Sequence, residues 1–74
     1  MMTLKEVKNG KRVQFINHES DQFMEAFKVS DRKEEWINGF KIMLNGKLVH
    51  TSKTFTPFKT KCDSLILEWE LEEY

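Results

Sequence analysis

The sequence is poor in the residues that build special scaffolds. In 74 residues it has one cysteine (Cys62), one proline (Pro57) and three glycines. A lone cysteine excludes an internal disulfide framework and is compatible with a reducing compartment. So few glycines exclude a collagen-like chain and a glycine-rich phosphate loop. No stretch approaches the roughly 18 apolar residues needed to cross a membrane. The opening Met1-Met2-Thr3-Leu4-Lys5-Glu6 has no apolar run of the secretory kind. An excess of one charge is missing as well, since 12 basic and 12 acidic side chains sum to zero. A protein that coats nucleic acid should be clearly basic and a DNA mimic strongly acidic, so both classes are disfavoured. The cytoplasm is the expected location.

What is present fits one small domain over residues 1–74. Hydrophobic residues make up 39% of the chain, enough for a modest core and too much for a disordered tail. A core of this size rarely supplies more than about 3–5 kcal/mol. With no disulfide to help, association with a second copy is the remaining source of stability, and a homo-oligomer is expected.

Each glycine follows an asparagine, at Asn9-Gly10, Asn38-Gly39 and Asn45-Gly46. The last pair separates Phe40-Lys41-Ile42-Met43-Leu44 from Lys47-Leu48-Val49-His50-Thr51, which predicts a hairpin with a type I′ turn. Its register would pair Leu44 with Lys47, Met43 with Leu48, Ile42 with Val49 and Phe40 with Thr51. Phe40, Ile42, Leu44 and Val49 would then face the core, and His50, opposite Lys41, would face outwards. From Leu65 to Glu72, Leu65, Leu67, Trp69 and Leu71 alternate with Ile66, Glu68, Glu70 and Glu72. That alternation has the period of a half-buried strand, although leucine and glutamate both favour helix; the pattern is given the greater weight.

Lys11 to Asn17 reads as a strand with Val13 and Phe15 on one face. Before it, Leu4 and Val7 lie at helical spacing, with Thr3 as cap and Gly10 as stop; a hairpin at Asn9-Gly10 is the alternative. Gln22 to Val29 reads as a strand with Phe23, Phe27 and Val29 on one face, or as a helix with Phe23 and Phe27 four apart. Asp31-Arg32-Lys33-Glu34 has the form of a capping box before a single turn at Glu34–Ile37, which Gly39 would end. Thr56-Pro57 marks a turn or loop, and Lys59 to Ser64 a short helix. Together these predict a small α+β domain, an antiparallel sheet of about four to five strands with one or two short helices.

Chemistry-bearing constellations are few. His18, His50 and Cys62 are too scattered for a structural zinc site, and no metal or cofactor is expected. Serine, histidine and aspartate occur in no catalytic frame, so no enzyme is expected. Lys59 and Lys61 could lower the pKa of Cys62, but a plain buried thiol is the favoured reading. Glu68, Glu70 and Glu72 would form a carboxylate row on a solvated strand face. An anion site is better supported. Lys8, Lys11 and Arg12 surround the Asn9-Gly10 turn, and Lys11 and Arg12 suit phosphate contacts. The segment Thr54-Phe55-Thr56-Pro57-Phe58 places two aromatics beside a proline, either as a ligand loop or as a loop pinned to the core. The candidate ligand-binding residues are therefore Lys11, Arg12, Phe55 and Phe58.

Two segments carry a family resemblance. Val7-Lys8-Asn9-Gly10-Lys11-Arg12-Val13 combines a short helix, a glycine, a basic pair and a strand. Asp63-Ser64-Leu65-Ile66-Leu67-Glu68-Trp69-Glu70-Leu71 follows the Asn45-Gly46 hairpin and Pro57 with an aspartate, leucines and an acidic-Trp-Glu ending. Together they resemble the Thoeris anti-defence domain of the second type, a family of small phage proteins. The chain departs from that pattern in having no tryptophan after Val13 and in having Glu68 before Trp69. The resemblance implies a homo-oligomer in the host cytoplasm that captures a cyclic ADP-ribose-type nucleotide signal without degrading it. A reading of another class is a phage-type inhibitor that binds a host defence protein by surface contact. Single-stranded nucleic acid is a weaker third, disfavoured by zero net charge.

Overall fold

A computed structural model describes residues 4–34 and 37–74. A 3₁₀ helix, Leu4–Asn9, opens the described chain. Gly10 ends it at φ +88°, with its N–H donating to the Val7 carbonyl at 3.0 Å. The expected helix and its glycine stop are thus present, while the proposed cap Thr3 lies outside the described residues. Strands β1 (Val13–Asn17), β2 (Gln22–Val29), β3 (Gly39–Leu44) and β4 (Lys47–Ser52) follow, then helix α1 (Phe55–Glu68) and the short β5 (Glu72–Glu73). All strand pairs are antiparallel, in the order β4-β3-β2-β1-β5. This is the small α+β architecture expected from the sequence.

Register decides which face is buried. Val13 pairs with Ala26 and Ala26 with Ile42; Phe15 pairs with Met24 and Met24 with Leu44. These rows form the inner face, and they join Leu4, Val7, Phe58, Cys62, Leu65 and Leu71 in one core cluster. Residues 22–29 are indeed a strand, and Phe23, Phe27 and Val29 do share a face, the one turned away from the core.

The hairpin keeps its turn but not its full register. Asn45 and Gly46 both have positive φ, at +52° and +82°, and Leu44 pairs with Lys47 and Met43 with Leu48 as expected. A bulge then shifts the ladder, so that Ile42 meets His50 rather than Val49, and Phe40 meets Ser52 rather than Thr51. Val49 is consequently exposed and His50 turns inward. β4 is an edge strand with no partner on its far side among the described residues, and such a strand accommodates an extra residue readily.

The larger correction is at the C-terminal end. Residues 65–68 belong to the 14-residue α1 rather than to a strand. Its buried stripe is Phe58, Cys62 and Leu65, at spacings of four and three, whereas Leu67, placed with Leu65 in the strand reading, is 82% exposed. Helix propensity therefore prevailed over a short alternation that helical spacing explains as well. The expected turn at Thr56-Pro57 and the short helix at Lys59–Ser64 are parts of this one helix. Pro57 sits in its first turn, where the missing N–H leaves no intrahelical bond unmade. The helix ends in a Schellman geometry: Glu70 adopts φ +51°, its N–H donates to the Leu67 carbonyl, and the Leu71 N–H donates to that of Ile66 at 2.9 Å. Leu71 thereby returns to the core. Glu68, Glu70 and Glu72 consequently occupy a helix end, a turn and an edge strand, and form no row. In the expected turn at Glu34–Ile37, the Ile37 N–H donates to the Glu34 carbonyl at 3.1 Å; Glu35 and Trp36 lie outside the described residues.

Candidate functional site

Three phenylalanines organise one end of the sheet. Phe40 faces inward from β3, and the first turns of α1 set Phe55 and Phe58 against it. Ring centroids are 5.6 Å apart for Phe40–Phe55, 5.0 Å for Phe40–Phe58 and 5.7 Å for Phe55–Phe58. Phe58 is fully buried and Phe55 partly so. At the sheet's end the core can no longer cover every inward position. Lys28, cross-strand from Phe40, stays exposed and holds its ammonium 5.8 Å from that ring. Lys8, from the 3₁₀ helix, places its ammonium 4.3 Å from the Phe55 ring. Both lysines use an aromatic face as a partner for positive charge.

Between the ends of β2, β3 and β4 lies an open cleft of about 350 Å³. Lys28 and Lys53 line it, with Phe40 at its base and Ser30, Asn38 and Gly39 on one wall. Among the described residues, no carboxylate lines it. Gly39 is required by this geometry: it has φ +138°, and a Cβ there would stand 2.5 Å from the Ser52 carbonyl oxygen. Asn38 is fixed by accepting the Asp31 N–H at its side-chain oxygen and by donating to the Asp31 carbonyl at 3.1 Å. Nearby, Thr54 caps α1 without a side-chain hydrogen bond, and the first turn holds no acidic residue. The cleft therefore combines positive charge, a largely buried phenylalanine and a rigid backbone wall, which suits an anion.

Of the four residues expected to bind ligand, Phe55 and Phe58 meet each other, but Lys11 and Arg12 do not join them. Arg12 points to the outer sheet face, where its guanidinium lies 4.4 Å from the Phe27 ring and donates to Glu25 Oε2 at 3.0 Å. Gln14 Nε2 donates to the same oxygen at 3.0 Å. These bonds from Gln14 and Arg12 hold the Glu25 carboxyl below its ordinary range. Lys11 is exposed between Gly10 and β1. Phe55 and Phe58 lie on the opposite, inner side, and Phe58 has no exposed surface.

Lys28 and Phe40 are the binding candidates that sequence reasoning missed. The available signal was strand parity. Once Val13 is paired with Ala26, Met24, Ala26 and Lys28 must share the inner face.

Other chemistry is quiet. Cys62 is buried, and burial pushes its thiol up to about 12; the Asp63 charge adds to this and the Lys59 charge opposes it. Lys59 is itself paired with Asp63 at 2.7 Å. His50 Nε2 is buried without a partner among the described residues. His18 and Glu19 line a second, polar hollow with Asn17, Glu70 and Glu72. No group of three or more metal-ligating side chains occurs among the described residues, and no helix is long and apolar enough to cross a membrane. No family model, curated protein or solved structure matches the chain.

Proposed function

We propose that the protein is a small anti-defence protein of phage type that binds a nucleotide-type signalling molecule and sequesters it intact. The observation that carries this reading is the cleft in which Lys28 and Lys53 flank Phe40 with no carboxylate among the described lining residues. Lys28 and Lys53 would hold phosphate by charge-assisted hydrogen bonds. Phe40, at the cleft, would border the base or ribose. In place of Lys11 and Arg12, this assigns the phosphate contacts to Lys28 and Lys53; the charge of Arg12 is already committed to Glu25. The resemblance of residues 7–13 and 63–71 to the second Thoeris anti-defence family supports a cyclic ADP-ribose-type ligand, a host-cytoplasmic setting and a homo-oligomer.

Calorimetric titration with cyclic ADP-ribose isomers and cyclic dinucleotides tests the proposal. Stoichiometric binding, with the ligand recovered unchanged after heat release, is the expected result. No heat at high micromolar ligand would refute it. A second reading, direct inhibition of a host defence protein, has the exposed Leu67 and Trp69 in its favour. It predicts a stoichiometric protein partner in a host-lysate pull-down and no bound nucleotide.

A further inference from the structure

β4 lies at the edge of the sheet, and among the described residues no strand pairs with its far side. No turn, loop or cap bond among them reaches the backbone of residues 48–51 either. Leu44 and Lys47 flank the two-residue turn and direct their N–H and C=O groups at each other. By alternation along the ladder, the N–H and C=O of Leu48 then point away from β3. The bulge inserts Val49, so the next residue to point outward is Thr51, opposite Lys41. Leu48 is 55% and Val49 41% exposed. An edge with unpaired donors and acceptors and exposed apolar side chains is a template for one more strand.

The charges around this edge select the strand it would take. From residue 38 to residue 62 the sequence holds Lys41, Lys47, Lys53, Lys59 and Lys61 and no carboxylate. Lys47 and Lys53 bracket β4, and both are exposed. Lys41, on β3, donates to Thr51 Oγ1 at 2.7 Å, a neutral partner that leaves its positive charge beside the edge. The carboxylates that border this segment are already engaged. Glu25, opposite Met43 on β2, accepts from Arg12 and Gln14, and Asp63 pairs with Lys59 at 2.7 Å. Glu72 and Glu73 lie on β5, at the other edge of the sheet. The β4 edge therefore carries positive charge that nothing on its own strands neutralises, and it favours a partner of negative charge.

The geometry points to β4 as the docking strand for an extended, acidic peptide of a partner protein, which would add a sixth strand to the sheet. Main-chain bonds to Leu48 and Thr51 would hold it, apolar side chains would cover Leu48 and Val49, and carboxylates would meet Lys47 and Lys53. Those two lysines stand about 20 Å apart along an extended strand, so the acids belong at either end of a short apolar run. The bulge separates the outward-pointing residues by three positions, which a preformed edge with its two-residue repeat does not match. A flexible peptide can follow that spacing as it orders on binding. β4 contains no aromatic side chain on which bases could stack, which argues against single-stranded nucleic acid. The site is separate from the nucleotide cleft and shares only Lys53 with it.

Titration of the full chain with the capped peptide Glu-Glu-Val-Thr-Val-Thr-Val-Glu-Glu, followed by amide-resolved NMR, tests this. Saturable shifts centred on residues 48–51 and slowed amide exchange at Leu48 and Thr51 are expected, and the affinity should fall as salt is raised. The same peptide with lysine in place of glutamate should not bind. Lys47→Glu should weaken binding at least about threefold. Lys11→Glu, the same charge change away from β4, should leave it unchanged. Leu48→Pro removes an outward donor without breaking a bond to β3 and should abolish binding; the two lysine variants carry the test if this one misfolds. No shifts at millimolar peptide, equal binding of the lysine peptide, or equal weakening by Lys11→Glu and Lys47→Glu overturns the assignment. So does an oligothymidylate that shifts β4 where the acidic peptide does not, or β4 shifts that follow protein concentration with no peptide present.

Discussion

The ammonium of Lys8 lies 4.3 Å from the ring centroid of Phe55, so the 3₁₀ helix and the first turn of α1 meet through a cation and an aromatic face. The same ring packs edge-on against Phe40, beside which Lys28 and Lys53 line the open cleft. The lysines should therefore contribute unequally to binding. Lys28→Ala and Lys53→Ala each remove a charge-assisted contact worth about 1.5–3 kcal/mol, a loss of roughly tenfold to a hundredfold in nucleotide affinity. Lys8→Met removes a cation–aromatic contact worth about 0.5–1 kcal/mol to the fold and, because Lys8 is not among the residues lining the cleft, should leave nucleotide affinity unchanged. Calorimetric titration of each variant at fixed salt would give these values.

Gly39 and Gly10 should respond differently to alanine. Gly39 has φ +138°, and its added Cβ would meet the Ser52 carbonyl oxygen at 2.5 Å; Gly10 has φ +88°, and its Cβ would meet nothing within 4 Å. Gly10→Ala should cost about 1 kcal/mol, for backbone strain alone. Gly39→Ala should cost about 2 kcal/mol or more, since the ends of β3 and β4 must also separate. Urea midpoints at constant slope would separate the two cases.

Substitutions along α1 distinguish a helix from a strand directly. Phe58 is fully buried and Leu67 is 82% exposed. Phe58→Ala should cost about 3–5 kcal/mol, comparable to the whole stability expected of so small a core, and should leave the chain largely unfolded. Leu67→Ala should change stability by less than about 0.5 kcal/mol. Were residues 65–72 a strand with Leu65 and Leu67 on one buried face, the Leu67 variant would also be strongly destabilised in thermal or urea unfolding.

Cys62 makes stability depend on alkaline pH. Burial raises its pKa from an ordinary 9.0 to about 12 in the folded chain. Between those values the unfolded chain has lost a proton that the folded chain retains. The contribution is therefore fully present below pH 9.0 and declines as pH rises toward about 12. Urea unfolding below and above pH 9.0 should show this decline in the wild type and its absence in Cys62→Ala. A thiol reagent at neutral pH should modify the native protein only as fast as it unfolds.

The parts of the fold legible in the sequence were those dictated by local backbone chemistry. Asn45-Gly46 specified a turn that needs two positive φ angles, and Gly10 specified a helix stop. Val13 and Phe15 showed their common face through strict alternation. The parts that were not legible depend on partners distant in the chain. The bulge beyond Met43 arises on an edge strand whose freedom no local pattern records. Leu65, Leu67, Trp69 and Leu71 fit a period of two, yet the deciding contacts are those of Phe58, Cys62 and Leu65 with the sheet. The candidate site was only half legible. Phe55 was visible as an unusual aromatic beside Pro57, whereas Lys28 acquires its position through the pairing of β2 with β1 and β3. Arg12 looked free in sequence and is held by Glu25, 13 residues away.

The most direct test of the cleft as a nucleotide site is an amide-resolved NMR titration of the full chain with a cyclic ADP-ribose isomer. Saturable shifts concentrated at Lys28, Ser30, Gly39 and Lys53, and abolished in a Lys28→Ala/Lys53→Ala variant that keeps its native spectrum, are the predicted result. Saturable shifts confined to Lys11, Arg12 and the outer sheet face, or no shifts at high micromolar ligand, would contradict it.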